Sequence, residues 1–378
     1  MTAISIRRDF QTTNRDELLA TVTWNALVEP GDRIAGELIN ELGPCGALVA
    51  FKQRRELGED VRAAYERWSP RFSENLATDK IACANRYDFK LLLPSDEMWP
   101  HQFRDLGPHS PLAIWYRGNI EHLVGLSRPI GVVGSRNATH YGQRVTSELV
   151  ACLVQDGAVT VSGGALGIDT VAHRTALKLE GSTIAFMAGA LDSLYPSANL
   201  ELFDEISHKG LLLSEMSPGA KPTRWRFLQR NRLIAALSEA VVVTEAGWRS
   251  GSINTVNHAT ELGRPVFAVP GPITSAASAG CNRLIRDSKA NLLIEVSDLP
   301  VELGWRSSGQ TELEGLGVLE LRALDALERR GRSFDDLLKA TGMALVELKM
   351  ALGTLKLLGK VDLTTDGLWK RSHSRLLK

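Results

Sequence analysis

The apolar positions along the chain fall into three regimes. Up to about residue 88 they recur at helical spacing in short blocks. Leu18, Leu19, Val22 and Leu27 mark one helix, residues 34–42 a second, and residues 47–51 open a third beyond the turn Gly43-Pro44-Cys45-Gly46. No stretch there alternates as a strand does. In the second regime, short continuous β-branched runs take turns with amphipathic blocks. The run at 129–133 lacks polar alternation, as a strand buried on both faces of a parallel sheet does, and further short apolar runs at 158–162, 182–187, 211–214, 240–244, 265–269 and 291–294 read as strands beside it. Between them the spacing predicts helices at 141–155, 170–180, 199–209, 227–237, 252–262 and 279–287. Residues 91–93 and 112–116 suggest two more strands flanking this sheet. Repeated βα units of this kind predict an α/β fold, an extended Rossmann-like doubly wound parallel sheet with helices on both faces.

The third regime follows a Gly- and Ser-rich linker at 304–316. Helical blocks are predicted at 319–330, 334–340 and 344–358, with Ser333 as a cap and Asp335 and Asp336 in the first turn of the second. Residues 361–369 read as a β-hairpin wing. Four segments result: a small helical N-terminal domain over 1–88, the Rossmann-like domain over 89–303, the linker, and a C-terminal winged-helix domain over 317–378.

Composition narrows the class of function. Lys plus Arg equals Asp plus Glu at 44 each, so any nucleic-acid surface must be local and not a product of overall basicity. Cys45, Cys83, Cys152 and Cys281 are widely spaced with no CxxC pair, which argues against a zinc site and against a disulfide framework. No apolar run suggests a membrane span, and MTAISIRRDF lacks the apolar core of a signal peptide. A soluble cytoplasmic protein with no membrane association is expected.

The candidate chemistry lies at strand ends. Gly134-Ser135-Arg136 follows the first strand and Ser162-Gly163-Gly164 the second, where open α/β sheets bind ligands. Backbone N–H groups and helix N-termini at such turns favour a phosphate, and Arg136 adds a planar cationic fork. The other reading is that the glycines only permit tight turns and Arg136 is a solvated charge. No GxGxxG follows the first strand and no GxxxxGK[ST] occurs, so dinucleotide and P-loop chemistry lose support.

Lys221-Pro-Thr-Arg224-Trp-Arg226-Phe227-Leu-Gln-Arg230-Asn231-Arg232 carries five basic residues in twelve positions, with no acid and two aromatics. Cations for phosphates beside rings for bases are what a single-strand groove needs. Phe227 and Arg230, three apart on a helix, can face one groove. Alternatively the basic residues pair with acids and Phe227 belongs to the core. Ser250-Gly251-Ser252 holds another phosphate or simply caps a helix through Ser252. Asp169, His173, Asp192, Glu215 and Glu245 lie near strand ends, but no nucleophile–base–orienter relation emerges. Asp169 and His173, four apart, are a ligand pair or packing residues.

The ordered series Val133-Gly134-Ser135-Arg136, Ser162 to Asp169 with Ala172-His173, Tyr195-Pro196, Leu213-Ser214-Glu215, Phe227 with Arg230-Asn231-Arg232, Ser250-Gly251-Ser252, and the run 263–271 resembles the DprA (Smf) DNA-processing family over roughly residues 90–296. The resemblance implies a non-enzymatic protein without a cofactor or metal. Such a protein binds single-stranded DNA, protects incoming strands in natural transformation, loads the RecA recombinase, and forms a homodimer through the Rossmann-like domain. It also implies a DML1-like winged helix. The short helix, Gly-containing turn and second helix of the N-terminal segment resemble a SAM-like or helix-hairpin-helix-like module, and read as a small structural or interaction domain more readily than as a DNA-binding one. Carried over, the DNA site comprises Gly134, Ser135, Arg136, Ser162, Gly163, Lys221, Phe227, Arg230, Asn231, Arg232, Ser250 and Gly251. Lys289-Ala290 stands where similar proteins usually have a Gly-Ala pair, near the edge implied in dimerisation. The runner-up is a nucleotide-binding sensor or nucleotide hydrolase on the same fold, whose PGGxGT-type turn this chain lacks.

Overall fold

The computed structural model describes residues 14–124, 126–306, 316–327 and 331–372. The extreme N-terminus, most of the expected linker and the end of the helix expected to reach residue 330 lie outside these. The chain divides into two compact units, Met1–Glu302 and Leu303–Lys378.

The first unit opens with four helices. α1 (Arg15–Leu27) starts where the Asn14 side chain accepts the Asp16 N–H at 3.2 Å, and α2 (Arg33–Lys52) where Asp32 accepts from Ile34 and Ala35. α3 (Glu59–Trp68) and α4 (Leu76–Arg86) follow. Contrary to the sequence expectation, α2 has the length and mean hydropathy of a membrane span, 20 residues at 1.2. It is not a continuous rod. Gly43, at φ 68°, breaks it before Pro44, as the expected turn requires, and the Pro44 carbonyl accepts the Trp24 indole N–H at 3.1 Å. Its buried Ala35, Leu38, Ala47 and Phe51 pack with Trp24, Tyr65 and Trp68 into an aromatic core.

Nine strands form one sheet. β1 (Lys90–Leu92) and β2 (Ile114–Gly118) come first, then β3 (Pro129–Gly134), α5 (His140–Gln155), β4 (Val159–Ser162), α6 (Ile168–Lys178), β5 (Thr183–Met187), α7 (Leu200–Lys209) and β6 (Leu211–Ser214). α8 (Arg224–Leu237), β7 (Ala240–Glu245), α9 (Ser252–Glu261), β8 (Val266–Ala268), α10 (Ala279–Arg286) and β9 (Asn291–Leu292) complete the pattern. The order is β1-β2-β6-β5-β4-β3-β7-β8-β9. The sheet is not wholly parallel as expected. β2 runs antiparallel to β6 and β1 antiparallel to β2, because these two strands precede the first crossover helix and add as a flank.

Side chains alternate between two cores, as a pleated strand demands. Leu211, Leu213, Ile184 and Phe186 face α8 and α9, while Leu212, Ala185 and Met187 face α6 and α7. Val22 of α1 and Ile81 of α4 share the second core, so the N-terminal helices are built onto the sheet. The Trp115 indole N–H donates to Asn25 Oδ1 at 2.8 Å and reinforces that seam.

Strand succession from β3 steps outward through β4, β5 and β6, then returns to the other side of β3 with β7. The direction of winding therefore reverses between β3 and β7, the position where a crevice opens at the carboxyl ends of the strands.

α11 (Asp298–Glu302) closes the first unit, and the second holds α12 (Val318–Asp325), α13 (Phe334–Thr341), α14 (Leu345–Leu357) and an antiparallel hairpin of β10 (Val361–Leu363) and β11 (Trp369–Arg371). Ser333 caps α13 and Gly342, at φ 61°, ends it. Leu337, Leu348, Leu352, Leu355 and Val361 make its small core.

Candidate nucleic-acid interface

The two Gly-containing turns of the switch point are already served by the protein's own carboxylates. Glu245, at the end of β7, accepts the Thr139 N–H at 2.8 Å and the Thr139 hydroxyl at 2.5 Å, at the N-terminus of α5. Gly142 makes room for it, since a Cβ there would lie 2.7 Å from Glu245 Oε2. A buried carboxylate thus occupies the place where a helix N-terminus would otherwise favour a phosphate. At the second turn, Asp169 Oδ2 accepts the Ala165 N–H at 3.3 Å. The Ser135 N–H is also spent, donating to the Glu245 carbonyl at 2.7 Å. The glycines serve close packing at these strand ends. A Cβ on Gly134 would meet Ile168 at 2.5 Å, and one on Gly163 would meet the Arg230 guanidinium at 2.2 Å.

What the crevice presents instead is arginine and aromatic rings. An open cavity of about 1040 Å³ is walled by the β3 turn, the start of α8 and the β7–α9 turn. Four arginines line it, Arg136, Arg224, Arg230 and Arg249, against one carboxylate, Asp169, which is buried. Tyr195, Phe227 and Trp248 supply the rings. The Arg136 Cζ lies 5.0 Å from the Phe227 ring centre and the Arg230 Cζ 5.9 Å, while Tyr195 meets the same ring edge-on at 5.9 Å. Phe227 and Arg230 therefore do share one wall.

Arg230 is buried under this wall. Its Nη1 donates to the Phe186 carbonyl and its Nε to Asn231 Oδ1 at 3.2 Å, and among the described residues no carboxylate lies within salt-bridging distance of it. Burial pushes it down to about 10, opposed by Asp169 and assisted by Arg136, so it stays charged at neutral pH. Burial likewise raises Asp169, which Arg230 and the Ala165 N–H partly offset. A buried cation that faces an open cavity and makes no ion pair among the described residues can take an anion from the cavity side.

The basic run at 221–232 divides into two sets. Arg226 forks onto Glu29, at 3.0 and 2.8 Å, and Arg232 onto the buried Glu215, at 2.8 and 2.7 Å. These two clamp α8 to the N-terminal helices and to the end of β6, as the pairing alternative anticipates. Arg232 is thus directed away from the cavity that the family resemblance implies for it. Lys221 is exposed but does not line the cavity, and its carbonyl accepts from Arg226 at 2.7 Å. Ser162 is fully buried, donating to the Val132 carbonyl at 2.6 Å, and Gly163 lies beneath Arg230.

Gly134, Ser135, Arg136, Phe227, Arg230, Asn231, Ser250 and Gly251 do come together around the cavity. Asn231 Nδ2 donates to Asn254 Oδ1 at 3.2 Å, tying α8 to the start of α9. Gly251, not Ser252, is the cap residue of α9, and the Ser252 hydroxyl instead lies 2.8 Å from that of Ser250. Tyr195, Trp248 and Arg249 are additions to the site as read from the sequence, and Arg224, read there only as part of the basic run, joins them. An aromatic and an arginine side by side in the turn after a strand were the available signal for Trp248 and Arg249.

His173 resolves as a packing residue. It is fully buried, with Nε2 2.6 Å from the Gly163 carbonyl and Nδ1 2.7 Å from the Thr183 hydroxyl. A carbonyl only accepts, which puts the proton on Nε2. Burial pushes its pKa down to about 4, so the ring is neutral.

Residues 90–304 match the family model described as DNA recombination-mediator protein A. A Mycobacterium tuberculosis relative named for DNA processing (DprA) is 35% identical over 361 residues, spanning 91% of this chain and 92% of its own length. The DNA processing protein DprA of Bacillus subtilis is 37% identical over 58% of this chain and 72% of its own. The crystal structure of Streptococcus pneumoniae DNA processing protein A superposes with a TM-score of 0.64 at 31% identity, covering 77% of this chain and 99% of that one. The Helicobacter pylori protein, whose structure is described for its single-stranded DNA binding mode, superposes at 0.53 and 31% identity, over 57% and 96%.

Proposed function

The chain belongs to the DNA recombination-mediator protein A family, the DprA or Smf DNA-processing proteins, and we propose that it binds single-stranded DNA in the switch-point cavity. The observation that carries this reading is the cavity lining: four arginines and three aromatic rings with one buried acid. Arginine forks match phosphate oxygens, and exposed rings stack on unpaired bases whatever the sequence. A duplex hides those faces, so the single strand is the preferred ligand. The Helicobacter pylori relative, described for the same ligand, supports the reading.

The nucleotide sensor or hydrolase is not favoured, because Glu245 and Asp169 fill the turns that would cradle a nucleotide phosphate. Nor do we assign a catalytic role, since His173 spends both ring nitrogens on the fold. The protein acts in the cytoplasm, protecting a strand and presenting it to the RecA recombinase in natural transformation or recombination. It does so as a homodimer through the Rossmann-like unit. Edge strand β9, with Leu292 and Ile294 exposed beside Lys289-Ala290, supports that face as the contact. The C-terminal unit, a winged helix in this reading, makes auxiliary contacts.

Fluorescence anisotropy with labelled oligo-dT and the matching duplex, at two salt concentrations, tests the core of this reading. Strong, salt-dependent preference for the single strand is expected; equal or absent binding refutes it. Recombinase filament assembly on coated single strands, with and without the protein, tests the loading step.

A further inference from the structure

The three rings of the cavity are not equivalent. Phe227 is half-buried and enclosed, with the Arg136 guanidinium 5.0 Å from its centre, Arg230 at 5.9 Å and the Tyr195 edge at 5.9 Å. A base reaching that ring must first displace Arg136. Trp248, on the opposite wall, is 53% exposed, and the Arg283 guanidinium stands over its ring at 4.5 Å. Indole is the strongest partner for such a cation, and the contact fixes the ring plane.

The turn that carries Trp248 is itself held. The Gly280 N–H of α10 donates to the Ala246 carbonyl at 2.7 Å, and Ser250 N–H to the Gly247 carbonyl at 3.1 Å. Gly280 is needed for this approach, because a Cβ there would lie 2.5 Å from the Gly247 carbonyl. A large ring, backed on one side by a cation and open on the other, thus stands in a cation-lined cavity on a rigid support.

We propose that Trp248, backed by Arg283, is a base-stacking platform of the cavity, additional to the Phe227 ring on the facing wall. The ligand class is an unpaired nucleobase of a single strand, accepted without regard to sequence because every base offers a π face. This rests on the single-strand reading and adds a direction to it. The strand crosses from the α8 wall, where Arg136 and Arg230 hold phosphates, to the β7–α9 turn, where a base lies on Trp248.

The test compares wild-type protein, Trp248→Ala and Trp248→Phe on oligo-dT and on an oligonucleotide of the same length made of abasic residues. Both ligands carry the same phosphates, and only the first carries bases. Trp248→Ala is expected to weaken oligo-dT binding roughly tenfold, within the range for loss of one stacked base. Trp248→Phe should recover most of it. On the abasic strand wild type and Trp248→Ala should bind alike. Unchanged oligo-dT affinity in Trp248→Ala, or an equal loss on the abasic strand, overturns the platform while leaving single-strand binding in place. A wild-type protein that binds neither strand overturns the single-strand reading, and the platform with it.

Discussion

The guanidinium carbon of Arg136 stands 5.0 Å from the centre of the Phe227 ring, joining the turn after β3 to the first turn of α8 across the mouth of the cavity. Arg136 is exposed, so without that ring its long side chain would sample many rotamers. Phe227→Ala should therefore weaken binding to a single strand chiefly by releasing Arg136. In a double-mutant cycle with Arg136→Ala the two losses should couple by ~0.5–1 kcal/mol, the range of a partly exposed cation–π contact. Strictly additive losses would show that Phe227 meets the strand on its own account.

Arg224 and Arg249 are exposed on the cavity walls, and no ion pair links either to a described carboxylate. Each is available to a phosphate. Alanine at either position should lower the slope of log affinity against log salt by ~0.7, the share of one phosphate contact on a single strand. Lys221→Ala, whose side chain does not line the cavity, should leave that slope unchanged. A Lys221 effect equal to that of Arg249 would move the strand's path out along the loop before α8.

Arg232 belongs to the fold. Its guanidinium grips Glu215 at 2.7 and 2.8 Å, with the two side chains only 3% and 9% exposed. Arg232→Met strands a buried carboxylate, for which ~3–5 kcal/mol of stability is the usual loss. Pairing it with Glu215→Gln should restore much of that. Thermal melts would show the drop and the recovery, while the salt slope of DNA binding should be that of wild type in whichever variant remains folded.

The division between Arg232 and Arg230 also marks how far the sequence can be read. The parallel strands are legible because continuous β-branched runs leave no polar face, and the glycine turns at their ends place the crevice. Helical spacing likewise puts Phe227 and Arg230 on one wall. It cannot supply partners. Glu29, which claims Arg226, lies 197 residues away along the chain, and Glu215, which claims Arg232, lies 17 residues back at the end of β6, so only the fold shows which acid each arginine meets. The same limit hides Glu245, whose carboxylate closes the N-terminus of α5 and converts an expected phosphate cradle into a structural cap. It also hides the seam between the N-terminal helices and the sheet, because Val22 and Leu212 each read locally as ordinary core residues.

Under the cavity floor, His173 ties the fold to pH. Its ring is fully buried between the Gly163 carbonyl and the Thr183 hydroxyl, and burial holds its pKa at about 4, below the ordinary 6.5. A group whose folded pKa is depressed favours the folded state above its unfolded pKa. That contribution fades as pH falls from about 6.5 toward 4, as the unfolded chain takes up a proton that the native ring refuses. The full contribution is on the order of 3 kcal/mol. The melting temperature should thus fall across this window by more than the surface carboxylates alone would cause. His173→Gln has no proton to gain, and although it starts less stable for want of the imidazole packing, its melting temperature should fall less steeply between pH 6.5 and 4. Parallel slopes for the two proteins would mean that the charged imidazole is accommodated in the native state, with Gly163 and the Arg230 above it shifting to make room.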